Sequence, residues 1–425
     1  MMKIHTYPPR SQWASLCTRP AADNAGIKES VQKIIDDVKR YGDKALKKYT
    51  EKFDGVKIQS LAVTDEELNN AEKSLTKELI KAVHLAKKNI EKFHAVQKEP
   101  VQKTETMPGV VCWRKSVGIE RIGIYIPGGS APLFSTVLML AAPAQLAGCR
   151  EIILCTPPDK SGNINPAILY AARICGIKKI YKTGGAQAVA AMAYGTATIP
   201  QVYKIFGPGN QYVTMAKQLL QQTVAIDMPA GPSEVLIIAD ETAVLSYVAA
   251  DLLSQAEHGP DSQVMLVTTE KCIAENIMNE IKIQTASLPR KKIAEAALKN
   301  SKCILVKNTG EAVAFSNMYA PEHLILACNK SKRIAGKIIS AGSVFIGNYS
   351  PESAGDYASG TNHTLPTNGW AAAYSGVSLD SFVKKITFQR LSKKGLKNIS
   401  SAVMAMAEAE QLMAHKNAIA IRLKK

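Results

Sequence analysis

Between residues 119 and 220 the chain repeats one pattern four times: an apolar, β-branched run, a turn, then an apolar helical stretch. The runs are "IERIGIYIP", "EIILCTPP", "KKIYKT" and "VYKIF"; the third and fourth turns read "GGAQ" and "GPGN". Strands joined through helices pair in parallel, because a tight hairpin can only return a strand antiparallel. Their helices must then cover the sheet faces. A second series starts at "SEVLIIADETA" and continues through "SQVMLVTT", "KCILVKN", "HLILAC" and "GSVFIGNYS", with helices between. The pattern predicts an α/β protein with two tandem doubly wound, Rossmann-like parallel-sheet domains.

The flanks read differently. Residues 1–104 are expected to be mainly helical, and Thr64 with Glu67 has capping-box spacing. "GVVCWRKSVGIERIGIYIP" alternates and suggests a hairpin leading into a buried strand. The expected organisation is 1–104 as a helical segment packing with the second α/β unit, 105–235 as the first Rossmann-like domain, 236–375 as the second, and 376–425 as a helix-rich tail.

The formal charge of +17 raises the question of a nucleic-acid partner. The lysines are dispersed among acids on amphipathic stretches, except in 376–425, where ten Lys/Arg face three Asp/Glu. No Arg-rich arm, RNP-type aromatic run or finger motif accompanies them, so no nucleic-acid role is expected. The N-terminus lacks an apolar core of signal-peptide length, and the longest apolar run is too short to span a bilayer. A cytoplasmic protein without a membrane partner is expected. The eight cysteines form no CxxC pair, which argues against a disulfide framework and a thiolate zinc finger.

The turns "PGGSAP", "TGGAQA" and "GPGN" each follow a strand and open a helix, where glycine lets a ligand approach and free N–H groups favour anions. None matches GxGxxG, and no acid closes the next strand, so tight turns without a ligand stay an equal alternative. Gln255 and His258 are three apart before Gly259-Pro260. An amide oxygen and an imidazole on one helix face suit a borderline metal. Completion needs distant residues; Asp356 and His415 are candidates that spacing cannot select. Glu322 and His323 are adjacent before an apolar strand. On extended backbone they point apart rather than pair, and either flank a substrate or serve two separate proton transfers; a solvated loop Glu beside a hydrogen-bonded His is the alternative.

"IYIPGGSAPLFSTVLMLAAPAQLAGC", "TGGAQAVAA", "KIFGPGNQYVT", "IDMPAGPSEVL", "LLSQAEHGPDSQ", "APEHL", "SAGDYASGTNHTLPT" and "EAEQLMAHKNA" occur in this order. Together they resemble the histidinol dehydrogenase family across essentially the whole chain, most strongly from about 119 to 420. The resemblance implies one Zn2+ per subunit held by Gln255, His258, Asp356 and His415, with His415 coming from the partner in a homodimer that shares active sites. It implies substrate contacts at Ser233, His363 and Glu410 and NAD contacts at Tyr125, Gln187 and Asn210. Glu257 and Asp261 are not implied as ligands.

The implied reaction oxidises L-histidinol to L-histidine with two NAD. Neutral imidazole can take the alcohol proton, a role read for His323. A carboxylate can activate the water that adds to the aldehyde, a role read for Glu322. The resemblance gives zinc the task of gripping the substrate imidazole and amine, which is positioning; a Lewis-acid role on the reacting oxygen stays open beside it. Three rival readings stay open: a same-fold enzyme for another amino alcohol or sulfonate, a basic nucleic-acid-binding protein, and a thiohemiacetal route through Cys112 or Cys149.

Overall fold

The computed structural model describes residues 2–20, 25–128, 132–228 and 231–424. Gly129, Ser130 and Ala131 of the first glycine turn lie outside the described residues. Two parallel sheets form the frame. The first has the order Lys179–Lys182, Glu151–Thr156, Arg121–Tyr125, Lys204–Phe206, Ala225–Ile226. The second has the order Lys3–Thr6, Lys302–Leu305, Gln263–Thr268, Glu234–Ala239, His323–Ala327, Ser343–Ile346. Counted along the chain, each series is arranged 3-2-1-4-5, the doubly wound order that the sequence pattern predicts. In the second sheet "EVLIIA", "QVMLVT" and "HLILA" are buried at every position, as strands covered on both faces require.

The N-terminal helices pack elsewhere than expected. Lys3–Thr6 and the helix Arg10–Leu16 join the second unit, where Trp13 meets Phe315 edge to face. The longer helices cover the first unit instead. Val31, Ile35 and Val38 of Ala25–Tyr41 share a core with Val189 and Met192. Val83, Ala86 and Ile90 of Lys77–Ala95 share another with Leu138 and Ile168. The reason lies in the helix Phe134–Leu146, buried at every residue from Ser135 to Ala144. A helix apolar all round needs a second layer outside it; Lys77–Ala95 supplies that layer, and Ala25–Tyr41 does the same for the helix Gly185–Tyr194, buried from Ala186 to Ala193. Thr64 and Glu67 form the capping box, with Thr64 Oγ1 accepting the Glu67 N–H at 3.2 Å and Glu67 Oε2 accepting the Thr64 N–H at 2.8 Å.

The hairpin Lys103–Met107 and Val110–Gly118 takes its third strand from the tail, Val383–Leu391, in a separate antiparallel sheet. That tail strand departs from the expected helix-rich reading. Its solvent-facing Ile386 and Phe388 alternate as a strand does. Helices Lys393–Ala409 and Met413–Leu423 follow.

At the turn after Lys204–Phe206, Gly207 has φ +126°, and a Cβ there would stand 2.0 Å from the Tyr125 carbonyl oxygen. Only glycine lets the two strand ends close to this distance. Lys217 fastens the turn: its ammonium donates to the Gly207 carbonyl at 3.0 Å and pairs with Asp227, which accepts the Gly207 N–H at 2.9 Å. Both side chains are almost fully buried. Replacing Lys217 by Met strands a buried carboxylate. The expected cost is about 3–5 kcal/mol, read as a fall in the urea midpoint. An unchanged midpoint would mean the pair does not secure the turn.

Candidate functional site

A cavity of about 140 Å3 lies between the carboxyl edge of the first sheet and the amino edge of the second. Gly207 and Asp227 reach it from the first unit. Ser233, Gln255, His258, Glu322, His323, Asp356 and His363 reach it from beyond residue 230. Gln255 sits in the last turn of the helix Leu245–Ala256, while His258 lies past its end, in the turn that Gly259-Pro260 begins to close.

The backbone of Glu234 organises the group. Its N–H donates to Glu322 Oε2 at 2.8 Å. Its carbonyl accepts from Gln255 Nε2 at 3.1 Å and lies 3.1 Å from His323 Nδ1. A carbonyl can be met only by the NH2 end of Gln255. The amide is therefore oriented, and its oxygen, Oε1, is left buried without a partner. His323 Nδ1 lies 3.0 Å from Gln255 Nε2 as well as 3.1 Å from the Glu234 carbonyl, so it can accept from the amide or donate to the carbonyl; Nε2 turns towards Asp356 Oδ1 at 3.5 Å, and neither of these two atoms has a hydrogen-bond partner.

Glu322 and His323 do not point apart as extended neighbours would. Glu322 Oε2 is 3.6 Å from His323 Nδ1. Glu322 lies in a bend just before the strand, so the two-residue alternation does not apply to it.

His363 is held at both nitrogens. Nδ1 is 2.8 Å from the Asp356 carbonyl, which can only accept, so Nδ1 carries the proton. Nε2 then accepts from the Thr136 hydroxyl at 3.0 Å. Burial lowers the pKa of this imidazole and keeps it neutral. Thr136, on a helix of the first unit, was not singled out by the sequence; nothing in "LFSTVL" marks it.

Carboxylates dominate the local field. Burial alone would lower the His323 imidazole, but Glu322, Glu352 and Asp356 reverse that and raise it well above its ordinary value. Burial raises the Glu322 carboxyl, against the pull of His323. Burial would also raise Asp356, yet the imidazoles of His323, His363 and His258 hold it below the usual carboxylate range. His258 keeps an exposed edge at the cleft mouth, although enough atoms crowd its ring to lower its pKa. Burial pushes Glu352 up to about 8, with Asp356 adding to the effect and His323 opposing it.

These atoms suit a metal ion. Gln255 Oε1, Asp356 Oδ1 and Glu352 Oε2 are buried and unpartnered. One ligand atom each of His258, Glu352 and Asp356 lie within 4.8 Å of one another. Mixed nitrogen and oxygen donors fit zinc and its neighbours among the divalent ions. Glu352 is a further residue the sequence reading passed over; its four-residue spacing from Asp356 on "ESAGD" was the available signal.

The other expected residues stand apart. Tyr125 is buried, and its hydroxyl accepts the Gly185 N–H at 3.1 Å. Gln187 is buried with Oε1 unpartnered. Asn210 caps the helix Gln211–Leu219, accepting from Tyr212 and Val213. None of the three lines the cavity; they mark the carboxyl edge of the first sheet. Glu410 and His415 are exposed on the tail and do not reach the cavity of their own chain. No cysteine lines it either. Burial pushes the Cys149 thiol up to about 11, and Cys112 lies in the antiparallel sheet.

A sequence model of the histidinol dehydrogenase family matches residues 17–423. A histidinol dehydrogenase from Bacteroides thetaiotaomicron is 59% identical over 424 residues, covering 100% of this chain and 99% of its own. One from Salmonella typhimurium is 50% identical over 416 residues, covering 97% and 95%. The crystal structure of histidinol dehydrogenase from Elizabethkingia anophelis superposes with a TM-score of 0.97 at 58% identity, covering 99% of this chain and 98% of that one.

Replacing Thr136 by Val keeps the side chain's outline but removes the O–H donor to His363. An expected loss of about 1–3 kcal/mol follows from the unpaired ring nitrogen, measured by urea unfolding. A midpoint equal to the parent's would show that this bond between the units contributes nothing.

Proposed function

Because the chain belongs to the histidinol dehydrogenase family, whose members are NAD-dependent oxidoreductases, we propose that its cleft oxidises L-histidinol to L-histidine through L-histidinal. The balance is one alcohol, one water and two NAD+ giving one carboxylate, two NADH and three protons. The observation that carries this reading is the meeting of an oriented amide, three imidazoles and three carboxylates around one small cavity beside the glycine turn at Gly207.

His323 Nε2 takes the hydroxyl proton of the substrate as hydride leaves the carbon. Its Nδ1, set between the Glu234 carbonyl and the Gln255 amide, aims the ring, and the base role uses the tautomer in which Nδ1–H donates to that carbonyl. Glu322 takes a proton from the water that adds to the aldehyde. The Glu234 N–H holds that carboxylate in place through both steps. His363, with both nitrogens engaged, shapes the wall of the substrate site, and Ser233 contacts substrate beside it. Gln255, His258 and Asp356 hold one zinc per subunit, joined by the partner's His415. A zinc ion held there would supply positive charge that offsets the carboxylates around His323 and would help to position the substrate.

NAD lies against Tyr125, Gln187 and Asn210, where helix N-termini face a ligand at the carboxyl edge of the first sheet. In this reading 105–235 is the nucleotide side and 236–375 the metal side. The tail 376–425 completes the site of a second copy, with the partner's Glu410 touching substrate. Support for that exchange comes from the exposed apolar Met406, Met413 and Ile421 on the tail helices and Leu412 between them. Among the described residues no helix is long and apolar enough to cross a membrane.

The direct test is NADH formation from L-histidinol before and after chelation and after zinc is restored. Activity with a different amino alcohol or a sulfonate but not histidinol would replace this substrate. In single turnovers, Glu322→Gln is expected to slow the aldehyde step by about 10²–10⁴ while sparing the alcohol step. Equal loss in both steps would remove the water-activating role.

A further inference from the structure

Glu352 has no part in the ligand set or the proton transfers assigned above. It opens the short helix Glu352–Tyr357, one turn before Asp356, so both carboxylates project from one face. Its side chain is 1% exposed. Oε2 has no hydrogen-bond partner, and among the described residues no lysine or arginine pairs with it. A carboxylate taken out of water in this way is unfavourable unless a positive charge joins it. The fold nevertheless sets it behind the cleft wall, where an oxygen of Glu352, an oxygen of Asp356 and a ring nitrogen of His258 lie within 4.8 Å of one another. A modest closure would bring three such atoms to bonding distance of one ion, which zinc needs at about 2.0–2.2 Å.

We propose that Glu352 takes part in holding the divalent cation. Each chain then presents Glu352, His258 and Asp356 as donors of its own, with Gln255 Oε1 beside them, before the partner's tail adds anything. The proposal rests on the reading of the cleft as a metal site but adds a residue to it. It also explains why an unpaired acid is kept in so enclosed a place: its partner is the ion. A carboxylate serving only the substrate's ammonium group would leave metal binding untouched, which separates the two ideas.

The experiment uses the full-length protein stripped of metal, without substrate or NAD. Zinc is titrated in competition with a chromogenic chelator for the parent, Glu352→Gln and Glu352→Asp. Thermal unfolding is followed with and without zinc. Glu352→Gln is expected to bind zinc at least about tenfold more weakly. Its metal-free midpoint should equal or exceed the parent's, since the amide removes a buried ionisable group, while the rise caused by zinc should shrink. Glu352→Asp keeps the charge and should recover part of the affinity. Zinc affinity of Glu352→Gln within about threefold of the parent, or an unchanged zinc-induced rise, overturns the proposal and leaves the metal site standing. A parent that takes up no zinc overturns both.

Discussion

Glu234 opens an interior strand of the second sheet, and its peptide unit meets three site side chains at once. The N–H fixes Glu322, and the carbonyl fixes Gln255 and His323. Its own carboxylate is clamped from the far side. Arg19 donates to both oxygens, at 3.0 and 2.9 Å, and the Asn368 N–H adds a bond at 2.6 Å. The guanidinium lies 3.9 Å over the Tyr319 ring. A planar two-bond fork of this kind sets direction as well as distance. The precision of the site therefore begins outside it, in an N-terminal segment that never touches the cavity.

Enclosure turns that geometry into chemistry. The chain is strongly basic overall, yet the cleft gathers Glu322, Glu352 and Asp356 around His258, His323 and His363. Charges buried this way act on one another far more strongly than across solvent. They raise His323, depress Asp356 and leave several donor atoms unpaired. Such an arrangement has little to recommend it as a stabilising core and much as a receptor for a cation and a cationic substrate.

The two sheets use opposite edges. The first offers its carboxyl edge to the cleft, as doubly wound folds usually do. The second offers its amino edge, where Glu234 and His323 begin their strands. Facing the edges in this sense lets a strand-opening peptide serve as an anchor. It also puts Thr136 of one unit against His363 of the other, so the site doubles as the junction between units.

Alternation of apolar runs and helices was enough to predict both parallel sheets, since only a crossover can join parallel neighbours. Local spacing also marked the Thr64 cap, whereas the single helix face expected for Gln255 and His258 ends at Ala256, before His258. The bend that brings Glu322 back to His323 was not legible, because alternation holds only inside a strand. Nor was the destination of the N-terminal helices: an amphipathic stripe declares that it will be covered, not by what. Thr136 escaped notice because a lone hydroxyl has no period, and Glu352 because its four-residue spacing from Asp356 says nothing of burial or of what both would face. The sequence by itself determined the elements, their order and the residue types able to bind metal and move protons, through short-range periodicity and turn chemistry. Only tertiary structure decided which of those residues meet, which edge carries them and which are left unpaired, because burial and mutual distance are properties of packing between segments far apart in the chain.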